Sequence, residues 1–311
     1  MTTPLWRHWQ AYWFAPAPLV NLAMCRILFV GFQLVQLVWA GDVWSDLHRL
    51  AALPDTFYDS LPVLHLFTMP WGWSARPSLA VLDGLYGLTL VAGISGLAGW
   101  RTNLSLLVFA AGNLFLQAFM YSFGEMHHPE ALFMVALGLL ALGPSGAAWS
   151  LDSRRRRPPT PSLRATSAFA RWPLLVVQWL LALAYFSSAS SKLASSGFGW
   201  ANGYTLQYYL IEDGLRWHRP LGVWMGQQHL PVMALSWLTL VFEGTFFLVL
   251  IWSVLAWVYL PLGAAFHAGI YLAMDAPFFQ LIVLYAAFIP WADVVDRIQR
   301  WMRWREAALP R

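Results

Sequence analysis

The sequence predicts an all-α, polytopic membrane protein of about eight transmembrane helices. Three observations carry this. Hydrophobic residues make up 59% of the 311-residue chain and charged residues 11%, against roughly half and a quarter in soluble domains. Apolar runs close to the ~20 residues that cross a bilayer recur along its length. Twenty tryptophans gather near the ends of those runs, where interfacial aromatic belts form. A soluble fold this poor in charge would aggregate, and a chain with this much apolar surface does not stay disordered. The net charge of +4 does not point to nucleic acid, because the arginines cluster beside apolar runs, where cytoplasmic retention accounts for them. The single cysteine, Cys25, excludes an intrachain disulfide and a thiolate metal cluster.

The first span is expected at 19–40. It carries Arg26 inside it, as a retained first helix does and a cleaved leader does not. The aromatic-rich stretch 43–75 is too polar to cross and reads as interfacial helix. Spans two to four follow at 79–99, 103–122 and 131–147. The segment 150–171, with Arg154, Arg155, Arg156, Arg157, Pro158 and Pro159, reads as a cytoplasmic linker. Span five is expected at 173–192, and 194–230 is again interfacial. Spans six to eight are expected at 231–251, 254–272 and 277–292, before a basic cytoplasmic tail at 293–311. With the N-terminus inside, thirteen basic residues lie on the inner side and five on the outer side. That bias predicts a multi-pass inner-membrane protein with both termini cytoplasmic.

Ionisable groups at membrane depth are functional candidates. Arg26 needs a carboxylate or carbonyls, and Glu243, in the middle of span six, is its expected structural partner. Asp83 lies near the outer end of span two, within reach of water. Asn113 and Gln117 share a face of span three, where they either tie helices together or meet a ligand head group. His127 and His128 precede span four. Adjacent histidines point apart on a helix, so a metal is not predicted, and one of them aimed inward is the better reading. His267 is either a packing residue or a ligand contact in span seven. Lys192 stands out as the lone lysine among eighteen arginines. It ends span five, where a lysine can snorkel to the outer interface. Arginine does that equally well, but only lysine readily gives up its proton when desolvated, becoming a base or nucleophile. A transporter is disfavoured, since no matching pair of Gly/Pro-broken spans is present.

These residues also carry a family pattern. Cys25-Arg26-Ile27-Leu28-Phe29 lies in span one, and Gly96-Leu97-Ala98-Gly99-Trp100-Arg101 joins spans two and three. His128 precedes span four, which runs out into Trp149-Ser150-Leu151-Asp152. Tyr185-Phe186 leads to Lys192-Leu193, then Trp200 and Gly203-Tyr204. Phe266-His267 and Phe278-Phe279 come last. In this order the chain resembles the HTTM (horizontally transferred transmembrane) family, including the membrane domain of the vitamin K-dependent γ-carboxylases, over about residues 20–292. The resemblance implies a single HTTM-like transmembrane domain over 1–311. It implies a reduced quinone as cofactor, Lys192 as the base acting on it and His128 as its histidine partner. Asn113, His127, Tyr185, Trp200 and His267 are then the candidate cofactor contacts. The activity implied is a quinone-dependent lyase or oxidoreductase at the outer face, embedded in the lipid bilayer. The alternative is a non-enzymatic quinone- or lipid-binding subunit that docks a periplasmic protein or peptide.

Overall fold

The computed structural model describes residues 4–40, 42–68, 76–124, 128–155 and 165–308. It is helical, and the chain divides into two compact units, 1–176 with 289–311 and 177–288. In chain order the helices of the first stretch are α1 (Pro4–Phe14), α2 (Leu19–Val35), α3 (Val43–Ala51), α4 (Pro62–Thr68), α5 (Leu79–Ala98), α6 (Thr102–Tyr121), α7 (His128–Leu142) and α8 (Leu151–Arg155). The long α9 (Trp172–Ser196) follows. Then come α10 (Tyr204–Arg216), α11 (Pro220–Gly226), α12 (His229–Thr245), α13 (Leu248–Ile251), α14 (Ala256–Met274), α15 (Phe279–Leu284) and α16 (Trp291–Ala308).

Among the described residues, six helical segments are long and apolar enough to cross a membrane: Leu19–Ala40, Leu79–Ala98, Thr102–Tyr121, Trp172–Asn202, His229–Ile251 and Ser253–Met274. Their outer faces are greasy. On α5, Leu88, Val91 and Ile94 recur at helical spacing and are 53–63% exposed, a stripe that suits lipid tails and not water. The protein is therefore a polytopic helical membrane protein. The expected fourth and eighth spans differ from the sequence reading. They are shorter apolar helices, Glu130–Leu142 and Phe279–Phe288. The fourth stops early because Gly143-Pro144 cannot continue it: proline lacks the N–H and disfavours helix in the residue before it. Pro290 closes the eighth in the same way.

In the first unit, α5 and α6 form a tight antiparallel pair. Gly99 ends α5 at φ +73, the left-handed conformation that closes a helix at little cost only for glycine. A short antiparallel pairing of Ala17–Pro18 with Thr166–Ser167 leads the chain into α2. Around it Leu19, Val20, Ala23, Ala147, Ala148 and Ala170 are buried together, with Trp291 and Val295 of α16 packed on them. The Asn21 side chain accepts the Ala292 N–H at 2.9 Å and so caps the start of α16.

In the second unit, α10 and α11 fold back on each other. Leu210, Val232 and Ala273 form a small core there, and Arg219 pairs with Asp275. Short helices occupy the described residues between the long ones, α3 and α4 in the first unit and α10 and α11 in the second.

Candidate functional site

Lys192 lies on α9, which runs one turn further than expected, so the amine is inside the helix and not at its end. Nζ donates to both carboxylate oxygens of Glu243, at 2.9 and 2.6 Å, and to the Ser188 hydroxyl at 2.6 Å. Ser188 in turn donates to a Glu243 oxygen at 3.2 Å. The Lys192 side chain is 21% exposed and that of Glu243 7%. Nζ also lies 5.2 Å from the centre of the Trp200 ring, within cation–π range. Spacings of three and four residues put Tyr185, Ser188 and Lys192 on one face of α9. Glu243 faces them where α12 packs beside α9 at Gly244 and Ala189. An ammonium has three donors and no acceptor, and all three are used.

One turn deeper on the same face, the Tyr185 hydroxyl is 2.7 Å from His267 Nε2 and 2.5 Å from the Tyr285 hydroxyl. All three side chains are buried. Aromatic rings enclose them: Phe242 and Phe246 pack on Tyr185, and Phe266 and Phe278 on His267. The Tyr285 hydroxyl fits only because Gly263 on α14 has no side chain to meet it. His267 Nδ1 is buried with no hydrogen-bond partner among the described residues.

The expected pairing of Arg26 with Glu243 is corrected. Glu243 is taken by Lys192, and the Arg26 guanidinium donates to the carbonyls of Ser145 at 3.1 Å and Trp149 at 2.5 Å. Arg26 is fully buried. Two of the motifs quoted above meet here. The Asp152 N–H donates to the Gly99 carbonyl, and the Asp152 carboxylate accepts from the N–H groups of Arg101 and Thr102 and from the Thr102 hydroxyl. Trp149 holds a positive φ of 48, which aims its carbonyl at the guanidinium. Gly-x-x-Gly-x-Arg and Trp-Ser-x-Asp are thus two halves of one polar knot around Arg26.

The remaining candidates are placed as follows. Asn113 is buried in the first unit, where its oxygen accepts from Gln33 at 2.8 Å and its nitrogen donates to the Phe109 carbonyl. Its neighbour Gln117 is only partly covered. Asp83 bonds His48 at 3.0 Å. His127 lies outside the described residues, as does the side chain of His128, whose backbone begins α7. Ser188 and Tyr285 were not singled out from sequence. The first was legible in its spacing from Lys192. The second was not, because nothing in the short run before Pro290 distinguishes its tyrosine.

No curated protein and no solved structure matches the chain. The model of the HTTM domain matches residues 14–290, nearly the whole membrane-embedded part, and the chain belongs to the HTTM family.

Proposed function

We propose that this HTTM protein is a membrane enzyme resembling the vitamin K-dependent γ-carboxylases, with Lys192 as the base and a quinone-type lipid as cofactor. The observation that carries the reading is the Lys192–Glu243 pair. A base at this position must shed a proton, and Glu243 is a neighbour that can take it. Passing one proton from Nζ to a carboxylate oxygen turns ammonium and carboxylate into amine and acid, which removes two charges from an apolar setting that penalises both. Nζ then carries a lone pair beside Trp200.

The residues suit a quinone. The hydroxyl of its reduced form can donate to the lone pair that Nζ gains on passing its proton to Glu243, the Ser188 hydroxyl can turn to its oxygen, and Trp200 offers a ring face. When bound, a reduced quinone supplies an ionisable hydroxyl and a pair of electrons. Lys192 and Ser188 would hold an oxygen, Trp200 would flank the ring, and Glu243 would store the proton. His128 keeps the partner role that the resemblance implies. In this reading α7 and the 279–288 helix complete eight spans, and both termini are cytoplasmic in an inner membrane. The 43–75 and 194–230 segments line the outer interface.

The test begins with protein extracted in mild detergent, whose bound lipids are identified by mass spectrometry. A quinone is expected. Consumption of added reduced quinone in air is then compared with that of Lys192→Arg, which keeps a cation for Glu243 but offers no lone pair. A loss of at least ~100-fold is expected for a removed general base. An arginine variant as active as the parent removes Lys192 from that role. One observation favours the alternative, a quinone-binding subunit without activity of its own: every Nζ proton already has an acceptor, as in a structural tie. That reading expects a retained quinone, no consumption by the protein alone, and a co-purifying periplasmic protein.

A further inference from the structure

The chain Tyr285–Tyr185–His267 can be hydrogen-bonded in two directions, and the number of buried polar groups each leaves unmatched chooses between them. If His267 Nε2 carries the proton, it donates to Tyr185 and Tyr185 donates to Tyr285. The Tyr285 proton is then left without an acceptor, since Tyr285 has no other hydrogen-bond partner among the described residues. Nδ1 is left bare as well. If the chain runs the other way, Tyr285 donates to Tyr185 and Tyr185 to Nε2, and one group alone is left over, the Nδ1–H of His267. The first direction leaves two buried polar groups unmatched, a donor and the bare Nδ1, and the second leaves one, so the second direction is favoured. The two tyrosines therefore fix the histidine tautomer, as the partner of one ring nitrogen fixes the state of the other.

We infer that His267 presents its Nδ1–H as the polar anchor for a carbonyl oxygen of a lipid-soluble ring ligand, with Tyr185 and Tyr285 as the residues that position it. Two features support this. The imidazole is 4% exposed and lies among the Phe266 and Phe278 rings at 5.1 and 5.5 Å, a setting that welcomes an apolar body and leaves one donor to satisfy. Tyr185 also shares its helix face with Ser188 and Lys192, so the anchor and the amine belong to one line of polar groups. The inference rests on the quinone reading above and adds a second recognition point to it.

The test uses full-length protein in nanodiscs, with side-chain ¹⁵N-labelled histidine and a short-tailed benzoquinone as probe. The expected result is a His267 resonance with the proton on Nδ1, which moves when the probe is added. Tyr185→Phe should release the tautomer into a mixture. Three variants separate anchor from packing. An asparagine amide nitrogen falls near the Nδ1 position and a glutamine one near Nε2. His267→Asn should therefore bind the probe within about threefold of the parent, and His267→Gln and His267→Phe about tenfold or more weaker. If the probe binds but the Nδ1 signal stays still, or the phenylalanine variant binds as well as the parent, the anchor is wrong and the Lys192 reading stands. If the anchor signals appear but Lys192→Arg consumes quinone normally, the base role alone fails. A parent protein that does not bind the probe overturns both.

Discussion

Arg26 and Lys192 are cations set in apolar helices of different units, and they are satisfied in opposite ways. Arg26 gives its hydrogen bonds to backbone carbonyls. Lys192 gives its own to a carboxylate and a hydroxyl. A carbonyl cannot take a proton and a guanidinium does not release one in proteins. The charge on Arg26 is therefore permanent, and its work is to hold the turn after α7 against the α5–α6 loop. A carboxylate can take a proton and an amine can give one, so the Lys192–Glu243 pair has a neutral form open to it that the Arg26 site lacks. What separates a structural cation from a chemical one is the partner's ability to accept the proton, more than depth in the membrane.

The largest expected effect breaks the first half of that comparison. Arg26→Met leaves the buried Ser145 carbonyl and the part-buried Trp149 carbonyl without this donor, at ~1–3 kcal/mol each, and opens space in a fully buried site. We expect about 4 kcal/mol of lost stability, read as a fall in thermal midpoint or in folded yield from detergent. Arg26→Lys should recover only part of it, since a compact ammonium does not span the two carbonyls as a fork does. The hydrogen-bond partners are main chain, so no second-site side-chain change restores those two bonds. A normal midpoint for Arg26→Met would mean that the knot holds without its cation.

The pair in the second unit should behave differently under the same treatment. Lys192→Met strands the Glu243 carboxylate and should cost about 3 kcal/mol, at the low end for a broken buried pair because Lys192 is partly exposed. Glu243→Gln should cost less, since the freed ammonium can turn toward solvent. The double variant Lys192→Met/Glu243→Gln should regain most of the stability and none of the quinone chemistry. A thermal-shift double-mutant cycle measures this, and simple additivity would show that the two side chains do not interact.

This contrast also marks how far the sequence reaches. Arg26, Lys192 and Glu243 are each visible as charges out of place, because any ionisable group in an apolar run is costly and conspicuous. Who pairs with whom is not visible, because that depends on which helices are neighbours. Glu243 suited either cation until α12 lay against α9 at Gly244 and Ala189. Lys192 seemed to end its span, since polar Ser187–Ser191 reads as an exit, whereas α9 continues to Ser196. The contact of His267 with Tyr185 crosses 82 residues and leaves no local trace. The long spans were legible because length and hydropathy decide them. The fourth and eighth helices are shorter than their apolar runs, because Pro144 and Pro290 turn the chain before each run ends.

Gly99→Ala tests whether the Arg26 knot is rigid without touching its charge. A side chain there would collide with Ser150 and crowd the guanidinium, in a backbone conformation of φ +73 that suits glycine. The expected cost is about 2 kcal/mol, smaller than removing either cation. Measured by the same thermal shift, an unchanged midpoint would show a loop that adapts, and the geometric half of the comparison would fall.

The smallest effect sharpens the point about partners. Asp213, on α10, carries a carboxyl raised above its usual value, first by partial burial and then by the negative charge of Glu212, with Arg216 opposing. The folded chain thus holds this proton at pH values where the unfolded chain has released it. Folding is helped most below the unfolded value, the advantage shrinks as pH rises through the folded value, and above that an ionised Asp213 remains a standing cost. Asp213→Asn should therefore stabilise the protein at pH 7. The gap should close as pH falls through the carboxylate range and vanish below about pH 4. Because the group is only partly buried and is screened by solvent, the gain should be a few tenths of a kcal/mol. Removing Glu243 should destabilise and removing Asp213 should not, although both are carboxylates of the same unit. A pH series of thermal midpoints in which Asp213→Asn is the less stable protein at neutral pH would contradict the claim that the partner, more than the burial, decides what such a charge is worth.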